Sequence, residues 1–106
     1  MTSTISVQTD QDISLSIIIG DAQIGGSYVQ LGDTKKGEGQ ISALSLGTGA
    51  EVTGKTLEMK SVVTDVNDST NHTSITYRIA AQELTQTATV DQQGDSVIYR
   101  ATIRFI

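Results

Sequence analysis

The chain has no cysteine, no proline and no tryptophan, and it carries one histidine and one phenylalanine among 106 residues. Without cysteine, disulfide staples, thiolate nucleophiles and thiolate-bound zinc are excluded, and the redox compartment is left open. Without proline, one ordinary device that keeps a sheet edge from pairing with another chain is missing. The only aromatics are Tyr28, Tyr77, Tyr99 and Phe105, so the core must be built from Ile, Val, Leu and Ala. Such a core buries less area per residue than one with many rings, and association with a partner would add to a modest stability. No run of 18 apolar residues is available to span a bilayer. Met1 to Asp12 lacks a basic stretch followed by an apolar one, which makes a cytoplasmic location the default expectation. Basic side chains are also few: 7 Lys and Arg stand against 12 Asp and Glu, a net charge of -5 that repels nucleic-acid phosphates and anionic membranes. The expected partner is therefore a protein, with no nucleic acid and no membrane, and a glycan is the alternative.

What is present is alternation. Val97, Tyr99, Ala101, Ile103 and Phe105 share one face of a C-terminal strand, with Arg100, Thr102 and Arg104 on the other. The same period of two runs through Ile5 and Val7, then Ile13 to Ile19, then Leu57 and Met59, then Ile75, Tyr77, Ile79 and Ala81. It recurs more weakly at Val29 and Leu31, from Ile41 to Leu46, and across Leu84, Gln86, Ala88 and Val90. Nothing reads as a helix of useful length. The expectation is a single domain over residues 1–106, an antiparallel two-sheet β-sandwich of about eight strands, with a small β-barrel as the alternative. In size and layering it resembles immunoglobulin-like or jelly-roll-like domains, but the Cys, Trp, Cys core of true immunoglobulin domains is missing, so the likeness is architectural.

Turn chemistry suggests how the strands connect. Asp91 to Gly94 fits a four-residue hairpin loop that would set Val90 opposite Asp95, Ala88 opposite Val97 and Gln86 opposite Tyr99. Val66 to His72, rich in Asn, Asp and Ser, reads as a longer hairpin loop. Nine of the ten glycines lie between Gly20 and Gly54, which predicts irregular loops in the first half and a regular meander in the second.

No catalytic or cofactor motif emerges. His72 would have to serve any acid–base mechanism near neutral pH, yet it has no partner motif such as a Gly-x-Ser-x-Gly elbow and reads as a solvated loop histidine. Asp65, Asn67, Ser69 and Asn71 alternate like the oxygen-rich start of a calcium loop. Thr70 and Thr76, however, stand where an EF-hand needs Gly and a bidentate Glu, so capping of the local backbone is the expected role. Asp21, Asp33, Glu38, Glu51 and Glu58 are the candidates for paired carboxylates, and they are dispersed as on a solubilising surface. Gly20-Asp21 with Gly25-Gly26 lacks the Lys-Ser or Lys-Thr of a phosphate loop.

The candidate partner surface combines Arg78, Arg100 and Arg104 with Thr85, Thr87 and Thr89, joined by Thr76 and Thr102. Ile18, Val62, Ile98 and Ile106 fall out of phase with the inward residues of their strands and should point away from the core, where another layer, a bulge or a subunit would cover them. These features predict a non-enzymatic structural or adaptor module that acts through protein contact, self-associating or built into a larger assembly. A carbohydrate-binding, lectin-like module, calcium-assisted near Asp65, is the alternative, and an enzyme using dispersed carboxylates is the third reading.

Overall fold

In the computed structural model, which describes residues 1–106, the chain forms nine strands and one helical turn. The strands are β1 (Thr2–Ile5), β2 (Asp12–Ile19), β3 (Ile24–Leu31), β4 (Thr34–Gly39), β5 (Leu44–Thr48), β6 (Thr56–Thr64), β7 (His72–Ile79), β8 (Gln82–Thr89) and β9 (Ser96–Phe105), with α1 (Gly49–Val52) between β5 and β6. They make two sheets, one in the order β1-β9-β6-β3-β4 and the other β5-β2-β7-β8. All pairings are antiparallel except β1 on β9. The fold is a two-sheet β-sandwich, and neither sheet closes into a barrel.

The period of two decides what faces inward. Leu57, Met59 and Val63 of β6, Ile75, Tyr77 and Ile79 of β7, and Tyr99, Ala101, Ile103 and Phe105 of β9 are all buried between the sheets. Ile41 and Val52 join the same core from a loop and from α1. α1 is a single turn closed by a capping box, in which the Thr48 hydroxyl accepts the Glu51 N–H while the Glu51 carboxylate accepts the Thr48 N–H at 3.0 Å. Gly49 is required there, because a side chain would fall on the carbonyl of Gln8.

Connectivity departs from the sequence expectation. Only β3–β4 and β7–β8 are hairpins; every other link passes between the sheets. Asp91 to Gly94 therefore carries the chain from β8 in one sheet to β9 in the other, and Ala88 faces Thr73 instead of Val97. Val66 to Asn71 is likewise a crossover, and the second half of the chain is not a meander. Ala81 leaves the inward set, since with Ala80 it forms the two-residue turn of the β7–β8 hairpin, both at positive φ, 50° and 63°. In the glycine-rich half, Gly25 and Gly26 lie inside the regular strand β3, where Gly25 lets the backbone of β6 approach closely.

The crossovers are fastened at one end of an elongated body measuring 45 × 21 × 20 Å. Buried Gln23, in the β2–β3 link, donates through Nε2 to the carbonyls of Thr70 and His72 at 3.4 and 3.1 Å. Its Oε1 accepts the N–H groups of Val66 and Asn67 at 2.8 and 2.9 Å. Asp65 ties the next loop in, donating its N–H to the carbonyl of Asp95 and accepting the N–H of Gly94.

Candidate functional site

The outward positions of β3, β6 and β9 line up in rows across the larger sheet. Gly26, Val62 and Ile98 share one row, because Gly26 pairs with Val62 and Val62 with Ile98. Ile24 lies one pleat toward the loop end, level with Thr64 and Ser96, whose hydroxyls are 2.7 Å apart. On the other side Tyr28, Lys60 and Arg100 form the next row, flanked by Glu38 of β4. Ile24 is 59% exposed, Ile98 53%, Val62 41% and Tyr28 38%, so four large apolar groups on one face are left to solvent. Gly26 flattens the patch by placing no side chain beside Val62.

The electrostatics of this face are uneven. Lys35 reaches Glu38 at 2.7 Å and sits 5.7 Å from the centre of the Tyr28 ring. The carboxylate of Glu38 raises the Lys35 pKa above its ordinary value. Lys60 and Arg100 stand directly opposite one another with no carboxylate in salt-bridge contact with either. Like charges in a cross-strand pair oppose each other, and an acidic partner would relieve them. A shallow depression of about 290 Å³ bounded by Tyr28, Glu58, Lys60 and Arg100 occupies the same face.

The expected arginine and threonine surface is split between the two sides of the molecule. Arg78, Thr76, Thr85, Thr87 and Thr89 lie on the outer face of the smaller sheet, whereas Arg100, Arg104, Thr102 and Ile98 lie on the outer face of the larger one. On the smaller sheet Arg78 is held by Glu83 at 2.6 Å, and Thr76 meets Thr85 hydroxyl to hydroxyl at 3.0 Å. Ile18 is on that side too, paired with Thr76. Ile106 follows β9 and bonds to the carbonyl of Ile5, with its side chain 59% exposed. All four out-of-phase residues point outward, but only Val62 and Ile98 come together. Ile24 and Tyr28, which complete their patch, were legible in the same way: both are out of phase with buried Val29 and Leu31.

The loop end holds the groups with acid–base or metal chemistry. His72 is the first residue of β7, with Nε2 3.8 Å from Asp21 Oδ2 and Nδ1 3.5 Å from Thr89 Oγ1. Both separations exceed the reach of about 2.6–3.2 Å that proton transfer requires. Asn67 and Thr70 act on their own loop, accepting the N–H of Ser69 at 2.9 Å and of His72 at 3.1 Å respectively, as turn-forming side chains do. Asp65 is fully buried; one carboxylate oxygen accepts the N–H of Asn67 at 3.2 Å and the other, Oδ2, has no partner. No three acidic, histidine or cysteine side chains converge in a geometry that would hold a metal. Asp33, in the β3–β4 turn, is separated from Asp21 by the length of β3, and Glu51 lies in α1 between β5 and β6. A cleft of about 340 Å³ opens between the sheets where Ser16 to Ile19 of β2 pass Gly25, Gly26 and the Gly39–Ser42 link. Compared with known proteins, the chain matches no protein-family model, no curated protein and no solved structure.

Proposed function

We propose that this domain is a non-enzymatic structural module that works by protein contact, self-associating or seated in a larger assembly through the outer face of its five-stranded sheet. The observation that carries the reading is the exposed row of Val62 and Ile98, extended by Ile24 and Tyr28 and bordered by the unpaired cations Lys60 and Arg100. An apolar centre with aromatic and arginine groups at its margin has the composition of a contact surface, where a few central residues dominate affinity. The matching surface is apolar at its centre with carboxylates along one side. The acidic loop end of a second copy, with Asp21, Asp68, Asp91 and Asp95, has that charge.

The experiment is sedimentation velocity over a concentration series, comparing the wild type with a Val62→Lys, Ile98→Lys double variant. Both positions are exposed, so the variant should fold with an unchanged far-ultraviolet spectrum. The expected result is weakening of self-association by about tenfold or more, equivalent to about 1.4 kcal/mol. Identical association in the two proteins would remove this face from consideration.

A further inference from the structure

The sandwich has four sheet edges, and three of them are blunted. β1 is four residues long. β4 carries Lys35, Lys36 and Glu38, and its pairing with β3 is interrupted by a bulge between Val29 and Gln30. β5 has five residues, a bulge opposite Ile13 and Ser14, and Gly47 at φ 119°. Short strands, charges and bulges are the usual protections against edge-to-edge pairing. β8 has neither shortness nor a bulge, and its single charge, Glu83, lies near one end and is held by Arg78. Its eight residues, Gln82 to Thr89, keep unbroken register with β7, contain no proline or glycine, and are uncharged from Leu84 onward.

The direction of the free hydrogen-bonding groups follows from the bonds β8 already makes. Val90 donates its N–H to the carbonyl of Asn71 at 3.0 Å, and the carbonyl of Ala88 accepts the Thr73 hydroxyl at 2.8 Å. Even-numbered residues therefore turn their peptide groups toward β7. By alternation Glu83, Thr85, Thr87 and Thr89 present N–H and C=O to the open side. The inward side chains of the strand are also only half covered: Leu84, Gln86 and Ala88 are all intermediate in exposure, and Gln86 crosses the gap to the carbonyl of Arg100 at 3.2 Å.

We infer that β8 pairs antiparallel with β8 of a second copy, joining the two smaller sheets into one continuous eight-stranded sheet about a two-fold axis at Gln86. This deepens the reading of the domain as a self-associating module but uses a different surface. Centred there, Thr85 faces the partner's Thr87, Glu83 faces the partner's Thr89, and Leu84 faces the partner's Ala88. All four outward peptide groups of each copy are then satisfied, giving about eight hydrogen bonds. Threonine pairs across the seam are favourable neighbours, and the half-covered Leu84 and Ala88 gain apolar contact. Centring the axis on Thr87 instead would oppose Glu83 to the partner's Asp91. Centring it on Thr85 would draw in Ala81, whose positive φ takes it out of extended geometry. The chain is thus complementary to itself in one register, and the occupant of the edge is a second copy.

Two charge variants test the register. In Thr85→Lys with Thr87→Lys, every lysine faces a lysine across the axis, while in Thr85→Glu with Thr87→Lys every glutamate faces a lysine. In a Val62→Lys, Ile98→Lys background, which removes the sheet-face contact, sedimentation equilibrium at about 100 µM, where a micromolar dimer is filled, should give dimer for the parent and for the Glu/Lys variant, and monomer for the Lys/Lys variant. Thr87→Pro, which removes an outward N–H and leaves the β7 ladder intact, should also be monomeric, and it covers the case in which the lysine variant folds poorly. A parent that stays monomeric, or folded Lys/Lys and proline variants that stay dimeric in that background, would overturn the inference. If the parent is monomeric while the unmodified chain associates, the edge proposal fails and the sheet-face reading stands.

Discussion

At the scale of single residues, the buried polar groups sort into those that are paired and one that is not. Ser27 and Ser61, on adjacent strands of the larger sheet, bury their hydroxyls against each other at 2.6 Å. Removing one hydroxyl orphans the other, which costs about 1–3 kcal/mol, whereas removing both together can be nearly neutral. Urea unfolding of Ser27→Ala, Ser61→Ala and the double variant should therefore give a non-additive cycle, with the double variant more stable than the sum of the singles implies. Thr73 and Tyr99 form a second such pair across the sandwich at 2.5 Å, with the Thr73 hydroxyl also bonding to the carbonyl of Ala88. Asp65 is the exception, buried with one oxygen unpartnered beneath the loops it ties together.

At the scale of elements, the β7–β8 hairpin is the one least suited to its residues. A two-residue turn with positive φ at both positions is a type I′ turn, for which Asn-Gly is the favoured pair, and here it is Ala80-Ala81. Left-handed backbone costs a non-glycine residue about 1–2 kcal/mol, so Ala80→Asn with Ala81→Gly should raise stability by about 1 kcal/mol and the melting temperature by about 4–8 °C. Calorimetry would register it. The same hairpin explains what could be read from the sequence. Alternation told which side chains of β6, β7 and β9 face the core and that Val62 and Ile98 do not, because the side chain's face is a local property of the strand. It could not tell which strand lies beside which. Asp91 to Gly94 contains turn formers that serve a hairpin and a crossover equally well, and the true hairpin turn, two alanines, gives no turn signal at all. The splitting of the Arg and Thr surface follows from that single ambiguity, since the β8-to-β9 link moves Arg100 and Arg104 to the opposite side from Thr85 and Thr87. Gln23 was also silent: a glutamine in a loop announces nothing until four backbone groups from another loop converge on it.

At the scale of the whole molecule, stability should fall in alkali. Burial raises the pKa of Tyr77 above its ordinary value, partly offset by the hydrogen bond that Gln86 donates to its hydroxyl at 3.0 Å. The folded state thus holds this proton more tightly than the unfolded one does. The contribution is complete below the unfolded value of about 10 and is lost as pH rises through the folded value. Unfolding midpoints in urea across this range should decline, and Tyr77→Phe should reduce the slope. The two proposed contacts also have a joint consequence. One joins the face of the larger sheet to the loop end of a neighbour and the other joins the edges of two smaller sheets, so each copy can hold more than one neighbour at once, and a head-to-tail contact combined with a two-fold one extends into an open array of copies.

The position of β9 bears on how the domain comes to be folded. It is the last strand of the domain in sequence, yet it lies between β1 and β6, so the first strand has no ladder to join until everything after it has been made. During synthesis β6 must wait with one edge open, and the apolar side chains of β3, β6 and β7 wait without the ridge from Tyr99 to Phe105 that packs against them. Closure depends on contacts distant along the chain, a topology for which refolding in roughly milliseconds to seconds is expected. The interval before β9 docks is when this protein is most exposed to pairing with the wrong strand.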